Sequence, residues 1–178
     1  LLWSCSACTG LANPVGYQAI LMSYSELQFI LAEARERGFI TQGDAATYYR
    51  TGIQASIDYY KGRYELINLP QIAERLDLDE SYFAQSSVTY SGTTEEKLAK
   101  IGTQKWLALY FTGMEGWYDW RRTGYPEIIP GPAAFINTVP VRYIYPSSVQ
   151  SLNEDSYKAV IASQGPDAIT TRVWWDVN

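Results

Sequence analysis

Two amphipathic segments separated by a short loop place the strongest limit on how this chain can fold. The first begins at Ser23-Tyr-Ser-Glu26, where a serine followed three residues later by a glutamate is typical of a capping box. It is predicted to end at Gly38, because glycine is common just past a helix C-terminus. The second begins at Asp44, a good N-cap, and is expected to run to about Lys61. Two such helices joined by about six residues predict an antiparallel αα-hairpin.

Helical spacing also predicts which side chains of this hairpin face the core. On the first helix these residues are Tyr24, Leu27, Leu31 and Ala34, with Phe29 and Ile30 widening the apolar face. On the second helix they are Tyr49, Ile53, Ser56, Ile57 and Tyr60.

A later helix is predicted from a second capping box, Thr93-Thr-Glu-Glu96. Leu98 and Ile101 mark its inner face, and residues 106–111 are apolar almost all round, as expected of a buried helix. We expect this helix to continue through the stretch EGWYDWRRTG, residues 115–124, and to end at its last glycine.

The chain beyond Tyr125 has a different texture. Six of its eight prolines fall within residues 126–166. Segments 139–145 and 170–175 are expected to be short and extended, and residues 151–163 to form one more helix. The predicted fold class is therefore all-α, with tetratricopeptide-like helix pairs and a long irregular, proline-rich C-terminal segment.

Composition excludes several kinds of function. The 178 residues include no histidine, which removes Ser–His–Asp catalysis and histidine-containing metal sites. The net charge of −5 argues against nucleic acid, because phosphate binding needs a basic surface. Cys5 and Cys8 form a lone CxxC, which cannot complete a tetrahedral zinc site. We expect two incidental thiols, and no metal or other cofactor.

Two carboxylates in the stretch 115–124 suggest an enzyme as one alternative. Glu115 and Asp119 are four residues apart and share a helix face, and paired carboxylates perform glycoside hydrolysis. Glycosidase carboxylates face each other across a cleft, however, which adjacent turns of one helix do not form. We therefore favour an ion pair between Asp119 and Arg122, with Arg121 meeting a carbonyl or carboxylate elsewhere.

Aromatic residues make up 15% of the chain and suit saccharide binding as well as a core. Trp117, Tyr118 and Trp120 point in different directions around a helix, so they cannot form one flat shelf. Trp174 and Trp175, as neighbours, would straddle opposite faces of a strand. We expect both clusters to anchor the core.

Ligand contacts fit better in the irregular region 62–92, where short helices are predicted at 70–76 and 79–85. The candidate ligand-binding residues there are Tyr64, Tyr82 and Tyr90.

Five stretches carry a resemblance to a known family. In chain order they are LMSYSELQFILAEARERG, YYRTGIQAS, KWLALYFTGMEGWYDWRRTGYPEIIP, VPVRYIYPSSVQSLN and VWWD. This series is similar to the C-terminal half of the SusD family, the nutrient-binding lipoproteins of Gram-negative outer membranes. The resemblance runs from residue 20 to residue 178, and leaves residues 1–19 as an unassigned lead-in.

The resemblance implies tetratricopeptide-like helix pairs and a role in binding, not catalysis. It implies capture of an oligosaccharide or other oligomeric nutrient at the cell surface and its transfer to a TonB-dependent, SusC-like transporter. A lipid anchor to the outer membrane is expected in an N-terminal part outside this sequence. A helical-repeat adaptor for another protein is an alternative. The family's motif residues, which it implies are scaffold, are Glu33, Trp117, Asp119, Arg121, Arg122, Arg142 and Trp175.

Overall fold

The computed structural model describes residues 20–66 and 69–176, and within these ranges all regular secondary structure is helical. The helices are α1 (Tyr24–Glu36), α2 (Ala45–Leu66), α3 (Pro70–Ala73), α4 (Glu80–Phe83), α5 (Thr94–Ala108), α6 (Glu115–Thr123), α7 (Ser147–Leu152) and α8 (Glu154–Gln164), with a 3₁₀ turn at Glu74–Leu76. The all-α prediction is confirmed. The prediction for Cys5 and Cys8 lies outside the described residues.

The chain divides into two compact units, one ending at Trp117 and the other beginning at Tyr118. In the first unit, α1 packs against both α2 and α5. Local caps begin two of these helices as predicted. The Ser23 hydroxyl accepts a hydrogen bond from the Glu26 amide at 3.0 Å, and Thr93 with Glu96 completes a reciprocal capping box.

The core of the first unit forms where α1 crosses α2. Phe29 is fully buried, and its ring meets Tyr49 edge-on with centroids 6.2 Å apart. Ile53 from α2 and Ile101 from α5 are also buried. The absence of a side chain at Gly52 makes room for Phe29, because a Cβ there would lie 2.9 Å from two of the ring carbons. Gly52 therefore sets how closely α1 and α2 approach.

The predicted inner face of α1 is partly wrong. Tyr24 and Leu27 are exposed by 61% and 40%. Phe29 and Ala32 are fully buried, and the polar Gln28 is buried beside them. The direction of burial follows the positions of α2 and α5, which the spacing of apolar residues within α1 does not encode.

The prediction of a single long helix from Thr93 to Gly124 is also wrong, because this stretch forms two separate helices, α5 and α6. Phe111 and Gly113, between them, have φ of +66° and +67°. These left-handed conformations interrupt the helical hydrogen-bond pattern. The second helix ends as expected, with Gly124 following it at a φ of +78°.

The expected burial of residues 106–111 does not occur in full. Leu109 is 4% exposed, whereas Leu107 and Tyr110 are each about half exposed. In place of the apolar residues, Gln104 and Lys105 are buried in α5. The side of α5 that faces α1 and α2 therefore includes polar residues.

The second unit is built around short helices and irregular chain. The one helix expected at 151–163 is two helices, α7 and α8, with Asn153 between them. Segments 139–145 and 170–175 form no strand in the part of the chain that the structure describes. The Val141 amide donates to the Ile169 carbonyl at 2.8 Å, so these segments are held by isolated hydrogen bonds and by side chains.

Candidate functional site

Two of the three predicted ligand-binding tyrosines use their hydroxyls inside the first unit. Tyr82 donates to the Gln104 side chain at 3.2 Å. Tyr90 donates to Glu36 at 2.7 Å, and its ring packs on Tyr49 at 5.1 Å. The hydroxyl hydrogens of Tyr82 and Tyr90 are therefore already used within the protein, and a ligand would meet a ring face or the hydroxyl oxygen as an acceptor. The third, Tyr64, is 7% exposed in α2. Ligand contact by all three stays a prediction.

Glu36, at the end of α1, is the centre of the contacts around Tyr90. Its carboxylate also accepts hydrogen bonds from the Thr94 hydroxyl at 3.1 Å and the Lys97 ammonium at 3.3 Å. Burial raises the pKa of Glu36, but the hydrogen bonds from Tyr90, Thr94 and Lys97 together hold that pKa below its ordinary value. Burial and the bond to Glu36 raise the pKa of Tyr90. This cluster fastens α1 to the start of α5.

An open groove of about 770 Å³ lies on another part of the first unit, and we call it the tyrosine groove. It is lined by residues 20–23, the start of α1, the middle of α2, the end of α5 and Thr112 beyond α5. The lining residues that bear hydroxyl or carboxylate groups include Tyr24, Ser56, Asp58, Tyr59, Tyr60 and Thr112. Its size lies within the range of about 300–1,000 Å³ that is usual for ligand sites.

The three tyrosines of this groove differ in their exposure and in the contacts of their hydroxyl groups. Tyr24 and Tyr59 are 61% and 36% exposed. Tyr60 meets Tyr59 edge-on at 5.3 Å, and its hydroxyl donates to the Tyr110 carbonyl at 2.7 Å. That bond ties α2 to the loop between α5 and α6, where Phe111 has its positive φ. Spacing within α2 pointed to Tyr60 as an inner residue, but it did not reveal the groove.

The predicted ion pair within α6 is confirmed. Arg122 donates to the Asp119 carboxylate through Nη2 at 2.9 Å, and Asp119 is 8% exposed. Arg121 meets the Asp176 carboxylate at 3.6 Å, which agrees with the expectation that it would meet a carbonyl or carboxylate elsewhere. Asp176 is also bound by Arg172 at 2.6 Å. The last acidic residue of the VWWD motif is thus held by two arginines of the second unit.

Arg142 takes part in a buried cluster that the sequence did not reveal. Its Nη2 donates to Asp167 at 3.0 Å, and both side chains are nearly inaccessible to solvent. The Asp167 carboxylate also accepts from the Tyr145 amide at 3.2 Å, the Tyr157 hydroxyl at 3.1 Å and the Gln150 side chain at 3.4 Å. Burial, followed by the bond to Asp167, raises the pKa of Tyr157. One carboxylate thus joins α7, α8 and the irregular chain.

The prediction that Trp174 and Trp175 anchor a core is wrong. Trp174 and Trp175 are 77% and 61% exposed, and their rings meet edge-on at 5.3 Å. In α6, Trp117 is half-buried, while Tyr118 is 50% exposed. The remaining family-motif residue, Glu33, accepts from Arg37 at 2.9 Å. These internal contacts support the scaffold role of the charged motif residues, which stays a prediction.

A comparison with protein-family models identifies the fold and its relatives. The model described as starch-binding associating with outer membrane matches residues 4–146, which is more than half of the chain. The chain belongs to the SusD-like family. The match begins within the stretch 1–19, which the sequence left unassigned. The SusD-like family is a family of binding proteins. No curated protein sequence matches the chain.

Solved structures resemble the SusD-like chain over most of its length. A SusD homologue from Bacteroides fragilis is 34% identical with a TM-score of 0.72, covering 88% of this chain and 34% of its own. A SusD-like protein from Bacteroidetes is 29% identical with a TM-score of 0.73, covering 90% and 31%. A chitin-binding SusD homologue from Flavobacterium johnsoniae is 29% identical with a TM-score of 0.64, covering 89% and 36%. The chain therefore spans about a third of these relatives.

Over residues 20–66 and 69–176, no helix combines the length and the apolar character that crossing a bilayer requires.

Proposed function

We propose that this SusD-like chain is part of a cell-surface protein that binds a glycan and passes it to a TonB-dependent, SusC-like outer-membrane transporter. The observation that carries the proposal is the match over residues 4–146 to a family described as starch-binding and associated with the outer membrane. The chitin-binding relative from Flavobacterium johnsoniae supports a saccharide ligand. Because the chain spans about a third of its structural relatives, the proposal concerns the whole protein, including a lipid anchor outside this sequence.

Binding without hydrolysis is part of the proposal. The alternative enzyme would use Glu115 and Asp119, but Asp119 is buried and engaged by Arg122 at 2.9 Å. A glycosidase needs one carboxyl group to donate a proton and another that can reach the sugar or a water molecule. A carboxylate that is paired with its neighbour on the same helix does not meet that need.

Calorimetric titration of the full-length protein with maltoheptaose and with chitohexaose tests the binding step. We expect saturable binding of at least one sugar, and chromatography of the sugar after incubation should show it unchanged. Release of shorter sugars that is lost in the Glu115→Gln variant would instead support the glycosidase.

Purification of the full-length protein from solubilised outer membranes tests the transfer step. We expect a TonB-dependent barrel to co-purify. Failure to bind either sugar, together with the absence of a co-purifying barrel, would overturn the proposal. Recovery of a soluble protein partner without a transporter would favour the adaptor.

A further inference from the structure

The tyrosine groove has two exposed tyrosine side chains in its lining. Tyr24 and Tyr59 are both exposed, and both line the groove. Its lining also includes the small side chains of Ala55, Ser56 and Ala108 and the larger apolar side chains of Ile20, Leu21 and Met22. Because the apolar face of a sugar ring packs well on an aromatic ring, a groove of this shape suits a saccharide.

Polar groups that could orient a sugar stand in the same groove. The hydroxyls of Tyr24 and Tyr59 make no hydrogen bond with any residue that the structure describes. Asp58 accepts one bond from Gln54 at 2.8 Å through Oδ1, and its Oδ2 accepts none from the described residues. These groups can exchange hydrogen bonds with sugar hydroxyls, and those to a carboxylate are the stronger ones.

The charge of the groove bears on whether a neutral or an acidic sugar would fit it better. Asp58 is its charged residue, and its lining, all within the described part of the chain, includes neither lysine nor arginine. An acidic sugar would therefore bring a second negative charge close to Asp58, and the nearby cation, Lys61, is already paired with Asp77. A neutral sugar meets no such repulsion.

Other aromatic clusters offer less. The hydroxyls of Tyr82 and Tyr90 are engaged by Gln104 and Glu36. Exposed Phe39 has no hydroxyl and does not line the groove. In the first unit, the tyrosine groove thus combines exposed rings, available hydroxyls and free volume.

We propose that the tyrosine groove is a subsite for a neutral oligosaccharide, stacked on Tyr24 and Tyr59 and hydrogen-bonded by Asp58. This inference rests on the proposed glycan binding and adds to it the place of contact and the preference for uncharged sugars.

The test measures the affinity of the full-length protein and of its variants for three probes. The neutral probes are maltoheptaose and chitohexaose, and the acidic probe is a heptamer of galacturonic acid. For the neutral sugar that wild type binds, Tyr24→Ala and Tyr59→Ala should each weaken binding about tenfold, the loss expected for one aromatic contact. Phe39→Ala, which removes an exposed ring of the same unit outside the groove, should leave affinity unchanged.

Two further variants test the groove without removing a tyrosine ring. Ser56→Trp fills the groove while keeping both tyrosines, and should also weaken binding about tenfold or more. Asp58→Asn should narrow the difference in affinity between the neutral and the acidic probes. Helical circular dichroism of each variant should match wild type.

The outcomes separate this inference from the proposed function. If wild type binds a neutral sugar and the Tyr24, Tyr59 and Ser56 variants bind it equally well, the groove is not the subsite and the proposed function stands. If the acidic probe binds as tightly as the neutral one, the charge preference is wrong. If wild type binds none of the probes, the proposed function fails and this inference fails with it.

Discussion

Replacing Gly52 with alanine should destabilise the first unit, whereas the same replacement at Gly62 should stabilise it. Both glycines lie in α2, so both substitutions gain the same helix propensity, about 1 kcal/mol. Their surroundings differ. An added Cβ at Gly52 would lie 2.9 Å from Cε1 and Cζ of Phe29, while at Gly62 it would meet no atom within 4 Å.

The size of the effect follows from the burial of Phe29. This ring is fully buried and packed edge-on against Tyr49, so it cannot rotate away from a new methyl group without disturbing the core. Overpacking of this kind costs about 1–3 kcal/mol. After the gain in propensity, Gly52→Ala should lose as much as about 2 kcal/mol, and Gly62→Ala should gain as much as about 1 kcal/mol.

Urea denaturation followed by circular dichroism at 222 nm measures both variants. The difference between them is the informative quantity, because it cancels the propensity and isolates the contact with Phe29. A third protein, Phe29→Leu combined with Gly52→Ala, should show a smaller penalty than the two single variants add up to. The reasoning is refuted if Gly52→Ala stabilises the protein as much as Gly62→Ala does.

Three further predictions concern buried hydrogen bonds. Asp167→Asn should destabilise the second unit by about 3–5 kcal/mol, because it leaves buried Arg142 without its counter-charge; urea denaturation and hydrogen exchange measure this. Tyr49→Phe should cost about 1 kcal/mol by thermal denaturation, because the Val88 carbonyl loses its 2.8 Å bond. The pKa of Glu36 is lower in the folded protein than in the unfolded chain, where it is near 4.5. The Glu36 carboxylate therefore stabilises the protein above that unfolded pKa, and this stabilisation is lost as the pH falls through the folded pKa. Glu36→Gln should flatten the dependence of stability on acid pH, measured by denaturation at a series of pH values.

Each of these predictions has its own control or contrary result. Glu127→Gln, at an exposed site of the second unit, should change the free energy of unfolding by less than about 0.5 kcal/mol. If Asp167→Asn has an effect as small as this control, the buried Asp167 cluster does not stabilise the second unit. No loss in Tyr49→Phe would mean that the Val88 carbonyl finds another donor. An unchanged acid profile in Glu36→Gln would show that this carboxyl does not govern stability at low pH.

Helix starts and the order of motifs could be predicted from the sequence because they depend on neighbouring residues. Ser23 and Asp44 bind amides three residues ahead of them, at Glu26 and Thr47, so the signal lies within one turn of helix. The Asp119–Arg122 pair was predictable for the same reason. The family motifs, being contiguous strings, were visible without any knowledge of packing.

The candidate site could not be predicted in the same way. Tyr24 and Tyr59 come from different helices, and Thr112 from a loop, so the groove exists only after the helices pack. The periodicity assigned Tyr24 to the core, but α2 and α5 bury another side of α1. The proposed role of Tyr64, Tyr82 and Tyr90 relied on an irregular sequence, and two of those hydroxyls have partners inside the protein.

By itself, the sequence determined an all-α chain of the SusD-like type, because helix caps, apolar spacing and linear motifs act over a few residues. Only the tertiary structure decided which faces are buried, where Phe111 interrupts a helix, and how Asp167 gathers donors from as far as 25 residues away. These features depend on contacts between segments that are distant along the chain. Burial of apolar faces such as that of Phe29 is driven by the exclusion of water, and buried Asp167 is stabilised by its hydrogen bonds; both need surfaces that meet only in the folded protein.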